Sequence, residues 1–364
     1  MEIVLEITGL SRSGPGVGRE ASGRVVFVPF TAPGDQVRVE IVSEDKRYAE
    51  GRVIELLRSS EQRSQAPCPV FGSCGGCEWQ HIPYNLQWDT KKSGVIHALE
   101  RVGIKNASEI PWVEFPAEKI WEYRNRIQLR GFGEELGFYA RSSKKLVPIH
   151  KCWIARSELN EKLAETKESG KSRPREYKAE LEVHENGSVT TAWNEGHSAR
   201  GFRQVHDEQN EKLRAWVADS LSGSGTLLDL YGGQGNLSLS LSARFQEIHC
   251  VDISSPVNRP ANTPANYRYH PSGVAEWLKR YEEKKPVSVI LDPPREGLGS
   301  DMVPILEKLK ALPAKEILSI GCEPDAWARS ASRMVKYGWH LEKIGALDFF
   351  PQTHHIESLA IFRR

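Results

Sequence analysis

The run TLLDLYGGQGN, residues 226–236, decides how the C-terminal part of this chain folds. Thr226 to Leu230 form a short, mostly aliphatic stretch, the pattern of a strand buried on both faces. Gly232, Gly233 and Gly235 then let the backbone turn and approach a ligand closely at the carboxyl end of that strand. A helix-like run, LSLSLSARF (237–245), follows. A glycine-rich turn alone is a weak signal, because structural turns produce the same pattern, so its neighbours decide its meaning.

Downstream, buried strands alternate with helical stretches: EIHCVDI, VSVILDPP, EILSIGC, HLEKIGALDFF and HIESLAIFRR, with a helix expected upstream near 207–221. The alternation predicts a doubly wound α/β domain over 201–364, in which ligands sit outside the carboxyl ends of the strands. The strand in HCVDI ends at Asp252, whose carboxylate can accept hydrogen bonds from ribose hydroxyls; a helix-capping aspartate is the plainer reading. Asp292 precedes two prolines, which cannot continue a regular sheet. Cys322 ends EILSIG at the same edge, either facing substrate or filling core as Cys250 does in EIHCVDI. Near the end, FPQTHHIES gathers His354, His355 and Glu357, with Glu357 starting the last strand.

Upstream of 201 the style is different. Residues 1–58 alternate short β-rich runs, RVVFVPF and DQVRVEIV among them, with turns at SGPGVG and TAPG, the pattern of a small β-barrel. SSEQRSQAP (59–67) reads as a linker and Tyr84 to Val102 as a helix. From 121 to about 200 the runs RIQLRGF, LGFYA, LVPIH, AELEVHE and SVTTAW predict antiparallel sheet, giving a central domain over 59–200.

The chain has 364 residues, 39% apolar and 27% charged, with ten tryptophans, the composition of a protein that buries cores in more than one domain. No apolar run is long enough to span a bilayer, and MEIVLEITGL is acidic where a signal peptide is basic, so the cytoplasm is the expected compartment. A net charge of +1 leaves any grip on nucleic acid to local patches. Arg124, Arg126, Arg130, Arg141, Lys144 and Lys145, interleaved with Tyr123, Phe132, Phe138 and Tyr139, form one such patch; a solvated strand face over an aromatic core is the bland alternative. Six cysteines are too few and too scattered for a disulfide scaffold. Cys68, Cys74 and Cys77 are spaced C-x5-C-x2-C with Gly75 and Gly76 between them, and Cys152 is the nearest fourth ligand. Four thiolates suit one [4Fe–4S] cluster; a zinc site and unliganded thiols are the alternatives. Radical S-adenosylmethionine chemistry fits less well, since Cys152 would close the open iron it needs.

Taken in order, GVGREASGRVVFVPFTAPGDQV, CPVFGSCGGCEWQHIPYNLQ, FRQVHDEQNEKL, LDLYGGQGN, LDPPREG, SIGCEP and FPQTHHIES resemble the motifs of the RNA uracil-5-methyltransferase family, which includes RlmD-type 23S rRNA enzymes and TrmA-type tRNA enzymes. The resemblance covers nearly the whole chain. It implies an OB-like TRAM barrel that binds RNA, a β-rich iron–sulfur domain, and a Rossmann-like S-adenosylmethionine-dependent methyltransferase domain. It also implies Gln204, Tyr231, Asn236, Asp252 and Asp292 at the methyl-donor site, Cys322 as nucleophile, Glu357 as base, and Cys68, Cys74, Cys77 and Cys152 as cluster ligands. The expected substrate is 23S rRNA, with tRNA as the alternative and no obligate protein partner.

The chemistry suits a thiol and a carboxylate at one sheet edge. Carbon 5 of uracil is a poor nucleophile until a thiolate adds at carbon 6, and a base must afterwards remove the carbon 5 proton. Two departures stand out. Glu323 follows the thiol where the family commonly has asparagine, which is expected to raise the thiol pKa. The stretch after Asp252 carries prolines where the family has a helix. These motivate the other reading, an RNA-binding protein that kept the fold and cluster but lost catalysis.

Overall fold

The computed structural model describes residues 1–173, 175–195, 203–256 and 258–364. The expected boundary at 200/201 lies outside the described residues. The chain divides into two compact units, Met1–Lys91 with Glu118–Gly196 and Phe350–His354, and Lys92–Ala117 with His197–Phe349 and His355–Arg364.

In the first unit, β1 (Glu2–Leu10), β2 (Gly16–Arg19), β3 (Val25–Val28), β4 (Gln36–Glu44) and β5 (Tyr48–Arg58) close into a barrel of order β1-β2-β3-β5-β4. Alternation builds it: Leu5 and Ile7, Val26 and Val28, Val37 and Val39 all face inward and form one core. After α1 (Tyr84–Arg101) and β6 (Trp112–Phe115), the chain forms β7 (Arg126–Phe132), β8 (Glu135–Tyr139), β9 (Leu146–Pro148), α2 (Ser157–Gly170), β10 (Tyr177–Val183) and β11 (Val189–Trp193). Strands β7 to β11 make the expected antiparallel sheet, order β11-β10-β7-β8-β9, with Leu159 and Leu163 of α2 packed on its apolar face.

The second unit holds α3 (Asp207–Ser220), β12 (Thr226–Leu230), β13 (Glu247–Asp252), β14 (Tyr267–Pro271), α4 (Val274–Arg280), β15 (Val287–Leu291), α5 (Met302–Ala311), β16 (Ala314–Gly321), α6 (Pro324–Lys336), β17 (His340–Leu347) and β18 (Glu357–Arg363). Its sheet runs β14-β13-β12-β15-β16-β18-β17-β6. Strands β12 to β16 are parallel, and β18 inserts antiparallel between β16 and β17. Every residue of β12 and β15 is buried, as their mostly aliphatic runs lead one to expect of central parallel strands. Strand order reverses between β12 and β15, the switch point at which this architecture opens a crevice.

One expected element is different. LSLSLSARF is not an α-helix but a series of turns with a short 3-10 segment, Leu239–Leu241. Serine favours such turns, and the Asn266 amide donates to the carbonyls of Ser242 and Phe245 at 2.8 and 2.7 Å, replacing bonds a helix would supply. Among the described residues of 253–266 there is likewise no helix.

Candidate active site

The carboxyl ends of four parallel strands carry the residues singled out from the sequence. Tyr231 follows β12 in a left-handed conformation, φ 65°, Asp252 ends β13, Asp292 follows β15 and Cys322 follows β16. Strand β18 runs the other way, so its first residue lies at the same edge. Gly321 pairs with Ser358; continued by one residue, that register sets Cys322 opposite Glu357. Thiol and carboxyl are thus brought together by strand pairing rather than by a loop.

The electrostatics follow from burial. Glu357, 5% exposed, is held well above the ordinary carboxylate range by burial first and Asp292 second, with Arg295 opposing them. Burial, then Glu357, pushes the Cys322 thiol up to about 12, and Arg295 again works the other way. Asp292 is pushed up to about 7 by burial and by the neighbouring Asp229 and Asp252. Glu323, expected to burden the thiol, is exposed at the N-cap of α6, where its carbonyl accepts the Trp327 N–H at 3.0 Å. The carboxyls that raise the thiol are Glu357 and, to a lesser extent, Asp292.

Two residues of this edge escaped the sequence reading. Asp229, inside β12, is fully buried; its carboxyl accepts the Ser238 hydroxyl, which also meets the Tyr267 hydroxyl at 2.7 Å, and burial pushes it up to about 6. A Cβ at Gly232 would stand 2.5 Å from the Asp229 carboxyl carbon and 2.7 Å from the Cys250 sulfur, so only glycine fits over this pair. Arg295 stands in a turn closed by the Gly297 N–H on the Pro294 carbonyl at 2.8 Å, and it lines a small cavity together with Cys322 and Glu323. The acid in a run of aliphatics and the arginine after the prolines were the signals available for each.

In the first unit, all four candidate cluster cysteines, Cys68, Cys74, Cys77 and Cys152, line one cavity of about 220 Å³ whose other walls include Val70, Phe71, Ile127, Phe138, Ile149 and Ile154. The Gly75 N–H donates to the Tyr139 carbonyl at 2.9 Å, and a Cβ there would sit 2.9 Å from that same oxygen. Asn160 fixes the other side: its carbonyl accepts the Cys152 N–H at 2.7 Å while its amide donates back to the Cys152 carbonyl at 3.1 Å. Burial raises Cys74, to about 11, and also Cys77 and Cys152, with neighbouring thiols adding to each shift. Among the described residues no group of three or more His, Cys, Asp or Glu side chains is placed to hold a metal ion.

The TRAM domain family matches residues 2–54, and the tRNA (uracil-5-)-methyltransferase family matches residues 180–267 and 277–364. An uncharacterised RNA methyltransferase of Bdellovibrio bacteriovorus is 32% identical, over 100% of this chain and 95% of that protein. The chain belongs to the RNA (uracil-5-)-methyltransferase family. Another relative is the 23S rRNA (uracil(1939)-C(5))-methyltransferase RlmD of Chromohalobacter salexigens, 27% identical over 99% of this chain and 89% of its own. In fold, the chain matches the crystal structure of the Pyrococcus abyssi tRNA (uracil-54, C5)-methyltransferase in complex with S-adenosyl-L-homocysteine, with a TM-score of 0.73 at 22% identity over 98% of this chain and 99% of that one.

The remaining candidates of this methyltransferase are placed unevenly. Gln204 is buried just before α3. Asn236 is exposed, and its amide is tied both ways to Asn210 of α3, at 2.8 and 3.0 Å. Asp252 accepts the N–H and hydroxyl of Ser254 on one oxygen, at 2.7 and 2.6 Å. His354 belongs to the first unit, its Nδ1 2.9 Å from Glu78. The basic patch divides as well. Arg126 is buried against Glu182 at 2.7 Å, Tyr123 is buried with its hydroxyl donating to the Pro351 carbonyl, and Phe138 packs on the sheet core, so these three are structural. Arg141, Lys144, Lys145 and Phe132 are exposed, and Arg130 lies over the Tyr139 ring at 5.2 Å. No helix among the described residues is long and apolar enough to cross a membrane.

Proposed function

We propose that this enzyme transfers the methyl group of S-adenosylmethionine to carbon 5 of a uridine in RNA, 23S rRNA in particular, through a covalent bond between Cys322 and carbon 6. The reading is supported by the Gly321–Ser358 register, from which Cys322 and Glu357 each stand one residue away, and by the effect of the Glu357 charge on the thiol. Cys322, as thiolate, bonds to carbon 6 and drives the ring electrons onto oxygen 4. Carbon 5 of that enolate takes the methyl from the sulfonium, leaving a neutral thioether. Glu357 then removes the carbon 5 proton and the bond from Cys322 to carbon 6 breaks, restoring the thiolate. A buried carboxyl of raised pKa is the stronger base once ionised, which suits this step. Arg295, the cation that opposes the shifts of both groups, favours the thiolate on which attack depends.

The donor belongs at the switch point, with Asp252 for ribose hydroxyls, Tyr231 and Gln204 on its walls, and the acids Asp229 and Asp292 facing a positively charged ligand. Asn236, held by Asn210, has to release that partner to reach it.

Cys68, Cys74, Cys77 and Cys152 would hold a [4Fe–4S] cluster: the four thiols line one cavity together with Val70, Phe71, Ile127 and Ile149. When bound, the cluster supplies four iron–thiolate bonds that cross-link Cys152 to the 68–77 segment. We assign RNA binding to a barrel domain (1–58) and to the exposed basic residues of a cluster domain (59–200), and methyl transfer to 201–364, in the cytoplasm and without an obligate protein partner. A uracil must leave its stack to meet both thiol and sulfonium, so the target lies in a loop or single-stranded segment. Incubation with methyl-labelled donor and, separately, ribosomal and transfer RNA tests this: label is expected in 5-methyluridine of the large ribosomal RNA. Label in tRNA alone would reassign the substrate, and none in either, with folded protein, would favour a binding role.

A further inference from the structure

At the edge of the second unit's sheet, beyond the end of β13 that carries Asp252, four rings meet around a cavity of about 450 Å³, a size typical of small-ligand pockets. His249 of β13 and His270 of β14 are stacked at 5.1 Å and 29°, with His249 Nδ1 2.9 Å from His270 Nε2. Trp277 of α4 and Tyr281 just after it stack at 4.4 Å and 22°, and Trp277 meets His270 at 4.8 Å. Three of the rings come from regular elements, β13, β14 and α4, and the fourth from the residue that caps α4. Burial lowers both imidazoles, His270 to about 4, and the pair presents a neutral, hydrogen-bonding edge at physiological pH. Trp277 Nε1 and His270 Nδ1 have no hydrogen-bond partner among the described residues. At the rim Arg280, with a side chain 81% exposed, pairs with Glu276 at 3.0 Å.

We propose that this cavity is a second, non-catalytic nucleobase site, which stacks an unpaired base of the RNA substrate on Trp277 and His270 while Arg280 holds its phosphate. Neutral rings with spare ring-nitrogen groups suit a planar heteroaromatic ligand, and one exposed guanidinium beside them suits an adjoining phosphodiester. The inference rests on the enzyme's being an RNA methyltransferase and adds a contact that fixes the RNA at a distance from the target uracil.

The test uses a short oligoadenylate carrying 8-azidoadenosine, which has no uracil for the catalytic edge, with saturating S-adenosylhomocysteine filling the donor site. Photolabelling of the intact protein is expected within 267–281, to fall about tenfold in Trp277→Ala, the order set by one stacked base, and to return in Trp277→Phe. With the natural RNA, Trp277→Ala should raise KM for RNA about tenfold and leave kcat and the donor KM unchanged. Labelling absent from 267–281, or undiminished in a Trp277→Ala protein whose circular dichroism is native, overturns the site. So does full competition by adenosine monophosphate at the oligonucleotide's own concentration, which would make the ligand a free nucleotide. Absence of uracil methylation by the wild-type protein would overturn the catalytic reading alone, because the photolabelling needs no turnover.

Discussion

A thiol pushed up to about 12 is protonated in the resting protein, so the half-buried Cys322 attacks only after it loses a proton. Arg295 is the cation that opposes this, and Arg295→Gln should lower kcat by about tenfold for each pKa unit the thiol gains, with KM for the donor little changed. A pH profile of Cys322 alkylation by iodoacetamide, shifted alkaline in the variant, separates this role from a merely structural one. Asp292 offers a second handle. Pushed up to about 7, it ionises as pH rises through neutrality, and its carboxylate then attracts the sulfonium, so KM for the donor should fall across that range. Asp292→Asn should remove the step. Stability moves the opposite way. The folded pKa values of Asp229 and Asp292, about 6 and about 7, lie above the ordinary 3.8, so their contribution is whole below that value and lost as pH rises through the folded pKa. In the donor-free protein the melting temperature of Asp229→Asn relative to wild type should therefore rise between pH 5 and pH 7.5, a comparison that cancels the opposite contribution of the lowered imidazoles His81, His249 and His270.

At the scale of elements, the glycine-rich turn after β12 is shaped by what lies beneath it. Gly232→Ala should cost about 1–3 kcal/mol, because its methyl would be forced against Asp229 and the Cys250 sulfur. Thermal melting with and without donor would show the loss, together with weakened donor binding. The mostly aliphatic runs VSVIL and TLLDL were legible as buried parallel strands because they lack the alternation of a half-exposed sheet. LSLSLSARF misled because Leu237 and Leu241, four residues apart as on one helix face, are buried on a chain of turns while Leu239 is exposed, and the distant Asn266 donates to the carbonyls of Ser242 and Phe245, a partner no local window contains. The pairing of Cys322 with Glu357 was guessed from chemistry, and its physical cause, an antiparallel last strand inserted beside β16, follows from tertiary register. Arg126 illustrates the reverse: a basic residue in a strand can serve the fold when a buried Glu182 answers it from the neighbouring strand.

For the whole molecule, the cysteine cavity and the methyl-transfer edge make separable demands. Anaerobically purified protein should carry about four iron and four acid-labile sulfide per chain, and Cys152→Ser should lose most of both. Chelation under reducing conditions should lower the melting temperature, with bleaching of the visible absorption reporting cluster loss; a colourless, zinc-loaded protein of equal stability would contradict the assignment. Raising salt from 50 to 200 mM should weaken RNA binding by at least tenfold if exposed residues such as Arg141, Lys144 and Lys145 hold phosphates, a readout independent of catalysis.

The central claim concerns one bond. Glu357→Gln protein, incubated with S-adenosylmethionine and ribosomal RNA, then digested with nuclease and protease, can be read by tandem mass spectrometry. The expected product is a peptide carrying 5-methyl-5,6-dihydrouridine monophosphate on Cys322, trapped because the carbon 5 proton stays in place. Methylated RNA with an unmodified Cys322 peptide, or full activity in Cys322→Ala, would contradict it.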